Sequence, residues 1–436
     1  MDRPEHPQPL APTLASPRFY GWRIVGMAFA VDFIAVGFFF YSYGVFLKAI
    51  AADLGGARFG ASLGIALANG IGAMAAPFIG RALDRLSIKR IMIAGAFVLA
   101  AGYMALSLTT AIWQLYVVMG TLFAFGLSMM GGLASAKLVS NWFDEKRGQA
   151  LGIATIGVSF SGLVMPLVAT WLIAAVGWRG GYQIYAALTI AIVAPLVAAI
   201  AVNRPEDMGL RPDGGPPPPE PPPQDAPPEL SWRTAELMRD RNFWAIALPF
   251  ALAFSSLSAV LIHLFPYASD LGIASKQAAL IASAAAGAGA VGKPVFGRMM
   301  DRIDARVVIW MSLGGQLLGL GLLMRGGGFE SLLVAAIVFG FSMGGIVPLQ
   351  GAVTAEAFGR LSFGKALGLL RPVQIPIHML GVPLAGWIFD STGSYQIAFQ
   401  IFAGFYIVAI AVAMMLRLGV ENPPRGTDSD GETRAA

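Results

Sequence analysis

The sequence contains no cysteine, and it has only three histidines, His6, His263 and His378, in 436 residues. The absence of cysteine excludes disulfides, thiolate metal sites and cysteine nucleophiles. Three scattered histidines leave little material for a histidine metal site. No pairing of a nucleophile with a base is visible in the sequence either. We therefore expect no enzyme activity, no bound metal and no other cofactor.

Charged residues are also scarce, at 13% of the chain, whereas 56% of the residues are hydrophobic and the mean hydropathy is +0.67. A bilayer core of ~30 Å needs about 20 apolar residues for each helix that crosses it. Twelve stretches of this kind occur, approximately at 20–47, 59–80, 91–110, 115–140, 149–176, 181–202, 243–266, 277–299, 307–325, 331–356, 366–389 and 395–418. The composition predicts an all-α integral membrane protein with twelve transmembrane helices.

The basic residues predict the orientation of these helices. If the N-terminus is cytoplasmic, 22 of the 30 lysines and arginines lie on the cytoplasmic side, 5 lie outside and 3 lie within helices. This asymmetry follows the positive-inside rule and places both termini in the cytoplasm. The net charge of +5 is spread over short loops, so it does not indicate nucleic-acid binding. No cleavable signal peptide is recognisable before residue 20.

A long polar connection divides the helices into two sets of six. It contains the run GGPPPPEPPPQDAPPE at 214–229, which is typical of a polyproline-prone or disordered linker without a core of its own. The predicted organisation is a cytoplasmic tail (1–19), a six-helix half (20–202), a Pro-rich cytoplasmic linker (203–242), a second six-helix half (243–418) and a polar cytoplasmic tail (419–436).

An internal repeat links the two halves. GRALDR at 80–85 follows the second predicted helix, and GRMMDR at 297–302 follows the eighth, which is the same place in each half. In this feature the chain resembles the major facilitator superfamily, whose members fold as two pseudo-symmetric six-helix halves. The resemblance implies that the loop residues act as a cytoplasmic gate that holds the halves together in the outward-open state. Topology marking alone would explain the arginines but not the repeated aspartate. The gate residues are Asp84, Arg85, Asp301 and Arg302.

A narrower resemblance lies at the start of the fifth helix, in NWFDEKRGQALGIATIGVSFSG at 141–162. An aromatic pair, a basic pair and spaced small residues make this segment similar to the monocarboxylate transporter family. The segment departs from that pattern at Asp144 and Glu145, and only Tyr20, Gly21 and Trp22 match the family's motif before helix one. A bacterial member, or one of the oxalate/formate exchanger type, is therefore the nearer likeness. This implies a bacterial inner membrane.

Four ionisable residues fall deep within predicted helices: Asp32, Lys137, Lys293 and Arg371. Counting from charged loop residues at ~1.5 Å per residue puts all four about 9 to 14 Å inside the cytoplasmic boundary. Their insertion costs on the order of 10 kcal/mol in total, so each is a functional candidate. Three positive charges and one negative charge near the midplane, where transporters of this type bind substrate, predict an anionic ligand.

Lys293 and Arg371 are the main candidates for substrate binding. The segment AVGKPVFGR around Lys293 resembles the basic-Pro segment of helix eight in monocarboxylate transporters, and Arg371 lies where oxalate exchangers carry a lysine on helix eleven. Pro294 and Pro372 lie beside them, so the helices are expected to kink and free backbone groups there. An arginine can hold a carboxylate with two hydrogen bonds, while a lysine offers a compact charge. Alternatively, one or both pair with an acid or snorkel to the interface.

Asp32 is the only carboxylate deep within a helix. Burial disfavours its charged form and nearby cations favour it, so it could carry a proton during transport. It could equally act as a permanent counter-ion for Lys293 or Lys137. Lys137 is a weaker site candidate, because its long side chain can snorkel to the membrane boundary.

Further polar side chains on the helices could orient a small ligand, although hydrogen bonds between helices explain them equally well. These candidates are Tyr41, Asn69, Gln350, Gln374 and His378. His263 is expected near the outer rim, as a surface histidine or, more weakly, as part of a gate. The glycine pairs Gly60 with Gly64 and Gly148 with Gly152, and the cluster Gly287, Gly289 and Gly292, are predicted to mark close helix contacts.

These patterns predict a secondary active transporter of small organic anions, most simply proton-coupled transport of a monocarboxylate such as lactate or pyruvate by alternating access. The expected partners are a small carboxylate, protons and the lipid bilayer, and we expect a monomer. The alternative is a carboxylate or dicarboxylate exchanger. Drug efflux fits less well because it predicts few fixed cations in the membrane. A non-transporting sensor would require a signalling domain, and none follows residue 418 in this sequence.

Overall fold

The structure, a computed structural model, describes residues 19–55, 57–144, 146–214, 232–300 and 302–418. Helices connected by short loops make up these residues, and no strand occurs among them. The prediction of an all-α fold is therefore confirmed.

Eleven segments of the described chain are long and apolar enough to cross a membrane. One of them, Arg147–Ile200, turns at Gly177 and comprises two helices, so the described residues contain twelve membrane helices, as predicted. We number them α1 (Gly21–Asp53), α2 (Arg58–Arg85), α3 (Ile88–Ser107), α4 (Ile112–Trp142), α5 (147–176), α6 (178–200), α7 (Arg241–Asp270), α8 (Ser275–Met300), α9 (Ala305–Met324), α10 (Phe329–Gly359), α11 (Ser362–Thr392) and α12 (Gln396–Ala413).

The two halves repeat each other in their turns. Gly177 ends α5 with φ 69°, and Gly393 ends α11, the equivalent helix of the second half, with φ 72°. Glycine adopts this left-handed conformation without the steric penalty of a Cβ, which makes it the usual residue just after a helix. The same residue therefore ends the same helix in both six-helix halves.

Hydrogen bonds show which helix ends meet. Tyr20 donates to the carbonyl of Ile200 at 2.9 Å, and the Asn242 side chain donates to the carbonyl of Arg417 at 3.0 Å. The start and the end of each half thus lie together, as an even number of crossings requires. We call this the terminal end of the bundle, and the opposite end, at the α1–α2 and α7–α8 loops, the clasp end.

The halves meet along α2 with α11 and along α5 with α8. Glycines make the approach close: a Cβ added at Gly162 would lie 2.6 Å from that of Ala286, and one at Gly386 would lie 2.9 Å from the backbone of Arg58. Small residues allow two helix backbones to pack this closely. The Gly386 contact lies near the clasp end of the helices, and the Gly162 contact lies about halfway along α5 and α8.

The same helices diverge toward the terminal end. Nothing lies within 4 Å of a Cβ added at Gly80 on α2, Gly364 on α11 or Gly297 on α8. Gly148 and Gly152 on α5 also face open space, so the prediction that they mark a close helix contact is wrong. A spacing of four residues places both glycines on one face of α5, but in this conformation no described helix packs against that face.

The other predicted glycine contacts are confirmed. Side chains of α4 pack on Gly60 and Gly64 of α2, since a Cβ at Gly60 would lie 3.1 Å from Ile112. Gly287 packs on Leu163 of α5, and Gly289 and Gly292 pack on the backbone of α10. These glycines let helices approach closely within each half and, at Gly287, between the two halves.

The described ends of the linker pack against the two halves. Asp213 accepts hydrogen bonds from the backbone amides of Asp144, at 2.7 Å, and Lys146. Trp232 is 5% exposed, and its amide donates to Ser362 at 2.9 Å. Residues 215–231, most of the Pro-rich run, lie outside the described residues. The predicted boundaries 20–202 and 243–418 stay a prediction.

Candidate substrate site and the clasp between the halves

Lys293 lies on α8 where the two halves meet. Its Nζ donates a hydrogen bond of 2.5 Å to the Ser159 hydroxyl on α5, in the other half. Pro294 follows it, and the flanking Gly292 packs against the Phe341 carbonyl on α10. The close glycine contact fixes the backbone of α8 at this point. The lysine is half-buried and has no acidic partner among the described residues.

Arg371 on α11 is exposed, and its side chain makes no hydrogen bond or ion pair to a described residue. At 3.6 residues per turn, His378 and Val382 lie about 20° from it around the helix axis. That face meets α7, since His378 bonds Ser258 at 2.8 Å and the Val382 carbonyl bonds His263. Arg371 is therefore exposed on a face that points into the bundle.

Two predicted polar residues contact each other. The Gln350 amide on α10 donates to the Gln374 side-chain oxygen on α11 at 2.9 Å, and Gln374 donates to the Ala247 carbonyl on α7 at 3.3 Å. One amide pair thus joins three helices of the second half, one turn from Arg371. His378 is hydrogen-bonded to Ser258 and lies 5.8 Å from the Phe254 ring.

The remaining polar candidates lie on the first half. Asn69 of α2 is exposed, and its side chain donates to the Ile65 carbonyl at 3.0 Å. Tyr41 ends a π-helical turn in α1, Gly37–Tyr41, and its ring packs against Gly162 of α5. π-helical turns within α-helices are frequent at functional sites.

Asp32 is 3% exposed and faces α4, near Gly131 and Ser135. Its Oδ1 and the Ser135 hydroxyl are both buried, and neither has a hydrogen-bond partner among the described residues. No described lysine or arginine lies within ion-pair distance of this carboxyl group. The structure therefore does not pair Asp32 with Lys293 or with Lys137.

Lys137 instead reaches toward the terminal end, where its Nζ lies 2.6 Å from the Asp84 carboxylate. Both residues belong to the first half, and their side chains are 41% and 57% exposed. In this conformation Asp84 therefore forms its ion pair within the first half and none with a described residue of the second half. Arg85 and Arg302 are exposed in the equivalent loops, and Asp301, the fourth predicted gate residue, lies outside the described residues.

A polar network at the clasp end was not anticipated from the sequence. Arg58, at the start of α2, donates to both carboxylate oxygens of Asp270 on α7, at 2.5 and 3.0 Å, and to the Tyr395 hydroxyl at 2.6 Å. Its guanidinium lies 3.6 Å from the centre of the Phe389 ring. The residue is 6% exposed. One buried arginine thus bridges the two halves through hydrogen bonds and a cation–π contact.

Two further carboxylate contacts complete the network, one with backbone amides and one with a lysine. The Asp390 carboxylate of α11 accepts hydrogen bonds from the backbone amides of Arg58, at 2.9 Å, and Phe59, at 2.7 Å. These amides are unpaired donors at the start of α2, where a negative charge is stabilised. Lys48 of α1 pairs with Asp270 at 2.9 Å. We call the set Lys48, Arg58, Asp270, Asp390 and Tyr395 the clasp.

His263 extends the clasp into the bundle. It is fully buried, with Nδ1 3.0 Å from the Tyr395 hydroxyl and Nε2 3.0 Å from the Val382 carbonyl and 3.3 Å from the Ser62 hydroxyl. The expectation of a surface histidine is wrong. Helix α7 continues for two turns beyond His263, to Asp270, so the residue lies inside the bundle instead of at its rim.

Within the described residues, no three histidine, aspartate or glutamate side chains are grouped so as to hold a metal ion. The charged groups of the site are Lys293 and Arg371, two cations without an acidic partner in the described part of the chain, and a separate buried carboxyl group, Asp32. Such an arrangement can bind an anion by hydrogen bonds and charge.

Known proteins resemble the chain over most of its length. Monocarboxylate transporter 13 of Rattus norvegicus is 27% identical over 406 residues, which cover 91% of this chain and 89% of the relative. Monocarboxylate transporter 11 of Homo sapiens is 28% identical and covers 90% of this chain and 81% of the relative. Monocarboxylate transporter 3 of Rattus norvegicus is 28% identical, and the match covers 95% of this chain and 84% of the relative.

Solved structures share the fold. A bacterial homologue of the human lysosomal transporter Spinster, in an inward-facing and occupied conformation, superposes with a TM-score of 0.67 at 14% identity and covers 92% of this chain and 97% of that one. Its inward-facing and unoccupied form gives 0.66. At this identity the match concerns the fold alone.

The model of the Major Facilitator Superfamily matches residues 29–327 and 258–435, which together include nearly all of the membrane helices. The relatives in this family are transporters, not enzymes. The match agrees with the twelve membrane helices in two repeated halves and with the cation Lys293 where the halves meet. The chain is therefore a multi-pass membrane protein that belongs to the Major Facilitator Superfamily.

Proposed function

We propose that this protein carries a small monocarboxylate, of the lactate or pyruvate type, across the membrane together with a proton. The observation that carries the proposal is two membrane cations without an acidic partner among the described residues, Lys293, which is hydrogen-bonded across the halves, and Arg371, which is exposed on the face of α11 that points into the bundle. Cations are costly in a membrane unless a ligand or a neighbour compensates them. The similarity to monocarboxylate transporters supports the same class of substrate.

The two cations would contribute differently to substrate binding. The Arg371 guanidinium can hold both oxygens of one carboxylate. Lys293 now donates to a neutral hydroxyl, that of Ser159 in the other half, and a substrate carboxylate would offer it a stronger, charged acceptor. When substrate binds, Lys293 would exchange its hydrogen bond to the other half for one to the substrate. The substrate would then bind the inward-open and outward-open states with different affinities, which alternating access requires.

Neighbouring polar groups would orient the rest of a small acid. We assign this role to Gln350, Gln374 and His378 in the second half and to Tyr41 and Asn69 in the first. The Gln350–Gln374 pair is held by the Ala247 carbonyl, so its amide groups are fixed in direction. Fixed donors and acceptors favour a substrate that carries a hydroxyl or keto group beside its carboxylate.

The proton is assigned to Asp32. Its carboxyl group is buried and is not locked in an ion pair with any described residue, which leaves it free to gain and lose a proton. Lys137, which bonds Asp84, is assigned no direct role in substrate binding.

The membrane orientation follows from the basic residues. The terminal end, which carries most of the lysines and arginines, would face the cytoplasm of a bacterial inner membrane. In the opposite, outward-open state, the repeated loop residues Asp84, Arg85, Asp301 and Arg302 would hold the terminal end closed. The protein would act as a monomer, because each copy contains both halves of the site.

The direct test is uptake of labelled lactate into proteoliposomes that contain the purified protein, with an inward proton gradient and empty vesicles. We expect accumulation that a protonophore abolishes. Arg371→Ala should remove saturable uptake and Arg371→Lys should retain part of it, whereas Arg325→Ala, which removes an exposed loop arginine, should behave as the unaltered protein. Saturable uptake by Arg371→Ala at the unaltered rate would refute the proposal.

The second candidate, anion exchange, is favoured by one observation: Lys293 and Arg371 are separate cations, neither paired with a described acidic residue, and together they could hold both ends of a dicarboxylate. It makes a different prediction in the same vesicles. An exchanger would leave empty vesicles without label and would take up label only after preloading with unlabelled carboxylate. Uptake into empty vesicles therefore excludes it.

A further inference from the structure

A large groove lies on the outside of the bundle at the clasp end, where α1 and α7 meet α5 and α8. Its volume is ≈ 1040 Å³. All four helices contribute apolar side chains to its walls, among them Val45, Leu167, Trp171, Phe265, Ala279 and Leu280. Both six-helix halves therefore contribute to one apolar surface.

The groove has a basic rim. Lys48 and Lys276 lie on it, together with the hydroxyl groups of Ser269 and Ser275. Lys48 is bonded to Asp270. Lys276 is exposed and makes no hydrogen bond or ion pair to a described residue. An apolar trough thus ends at a cation that the described chain does not neutralise.

We propose that this groove binds an anionic phospholipid, with one acyl chain along the apolar walls and the phosphate of the head group at Lys276 and Lys48. The groove opens sideways, since Trp171 is 67% exposed and Leu280 is 44% exposed. In a membrane protein such outward-facing surface is covered by lipid chains. Basic residues beside apolar clefts between helices recognise anionic head groups, and tryptophan favours the membrane–water interface.

Lipid binding in this groove is separate from the proposed transport function, and it would affect which conformation the protein adopts. The groove is built from both halves beside Lys48–Asp270, one of the clasp contacts, so its shape depends on the clasp being closed. A lipid that fits the closed shape must stabilise that state, because binding and conformation are reciprocally linked. Anionic lipid should therefore favour the conformation seen here.

Native mass spectrometry of the whole purified protein tests the proposal without a transport measurement. The probes are phosphatidylglycerol and phosphatidylcholine with identical acyl chains. Lys276→Ala should weaken phosphatidylglycerol binding about fivefold, the factor that corresponds to ~1 kcal/mol per basic residue at a membrane surface. Lys276→Arg should retain binding. Arg325→Ala is the matched control, since it removes one exposed cation from a loop at the same end but outside the groove. Leu167→Trp, which fills the groove, should weaken both lipids.

Each other outcome would overturn the proposal. Equal losses in Lys276→Ala and Arg325→Ala would mean that only general surface charge attracts the lipid. Equal binding of both lipids to the unaltered protein would exclude head-group recognition. A dimer that Leu167→Trp dissociates would identify the groove as a protein interface. Monodisperse elution of each variant in detergent establishes that it is folded.

Discussion

The two ends of the bundle are held in opposite ways. At the clasp end, Arg58 joins the halves through buried or half-buried side-chain bonds, and Asp390 adds one half-buried and one exposed bond. At the terminal end, the ion pair Lys137–Asp84 is largely exposed and stays within one half. The polar contacts that join the halves in the described residues lie at the clasp end or midway, at Lys293. The contrast accounts for which end is closed.

The polar contacts at the two ends differ in their exposure to water as much as in their number. An exposed ion pair is weakened by water and salt and contributes little to stability. Arg58 is shielded by the Phe389 ring and by Tyr395, so its bonds act in a medium that screens them less. Glycine packing changes in the same direction: it is close at Gly386 near the clasp end and at Gly162 midway, and open at Gly152 and Gly364 toward the terminal end.

The largest expected effect comes from breaking the clasp at its centre. Arg58→Ala should destabilise the closed clasp by about 3 kcal/mol, the lower part of the range for a broken buried ion pair, since Asp270 remains partly exposed. That corresponds to roughly a 100-fold shift toward states open at the clasp end. The chain has no cysteine, so spin labels at Thr110→Cys and Glu330→Cys can report the opening by double electron–electron resonance.

Arg58→Lys controls for the loss of charge alone. It keeps a cation but loses the bidentate bond to Asp270 and the planar contact with Phe389, so we expect an intermediate distance distribution. The reference is the same label pair in the protein that keeps Arg58. If Arg58→Ala gives the same distance distribution as that reference, the clasp does not hold this end. Labels at Leu86→Cys and Ile303→Cys should report the opposite change at the terminal end.

A smaller effect is expected at the start of α2. Asp390→Asn removes the negative charge that accepts from the amides of Arg58 and Phe59 but keeps one oxygen acceptor. Interaction of a charge with a helix end contributes ~1 kcal/mol, so the shift toward opening should be about fivefold and should shrink as salt is added. The same spin-label pair measures it. A salt-independent shift would instead indicate a steric role for Asp390.

The sequence predicted the fold well for physical reasons. Each membrane crossing must satisfy its backbone hydrogen bonds internally and present about 20 apolar residues to lipid, so length and composition define the twelve helices. The repeated GRALDR and GRMMDR motifs and the separation by the linker define the two halves. These signals are local, and they need no knowledge of which helices touch.

The site was predicted only as a list of residues. Gln350 and Gln374 were both candidates, but their mutual hydrogen bond depends on how α10 and α11 rotate, which a sequence pattern does not give. The clasp was missed because Arg58 and Asp270 are 212 residues apart and resemble ordinary loop charges. One signal was available: Asp53 ends α1 and Asp270 ends α7, the same position in each half, and both pair with an arginine.

The smallest expected effect concerns the terminal end, and it separates two roles of Asp84. Lys137→Ala breaks the exposed pair with Asp84, and we expect no measurable change in melting temperature, in the Leu86–Ile303 spin-label distances or in lactate uptake. Asp84→Asn breaks the same bond from its other partner, so a purely local role would make the two variants alike. If Asp84 instead helps to close the terminal end in the outward-open state, only Asp84→Asn should slow uptake. Equal slowing by both variants would assign the effect to the Lys137 bond and would remove Asp84 from the proposed gate.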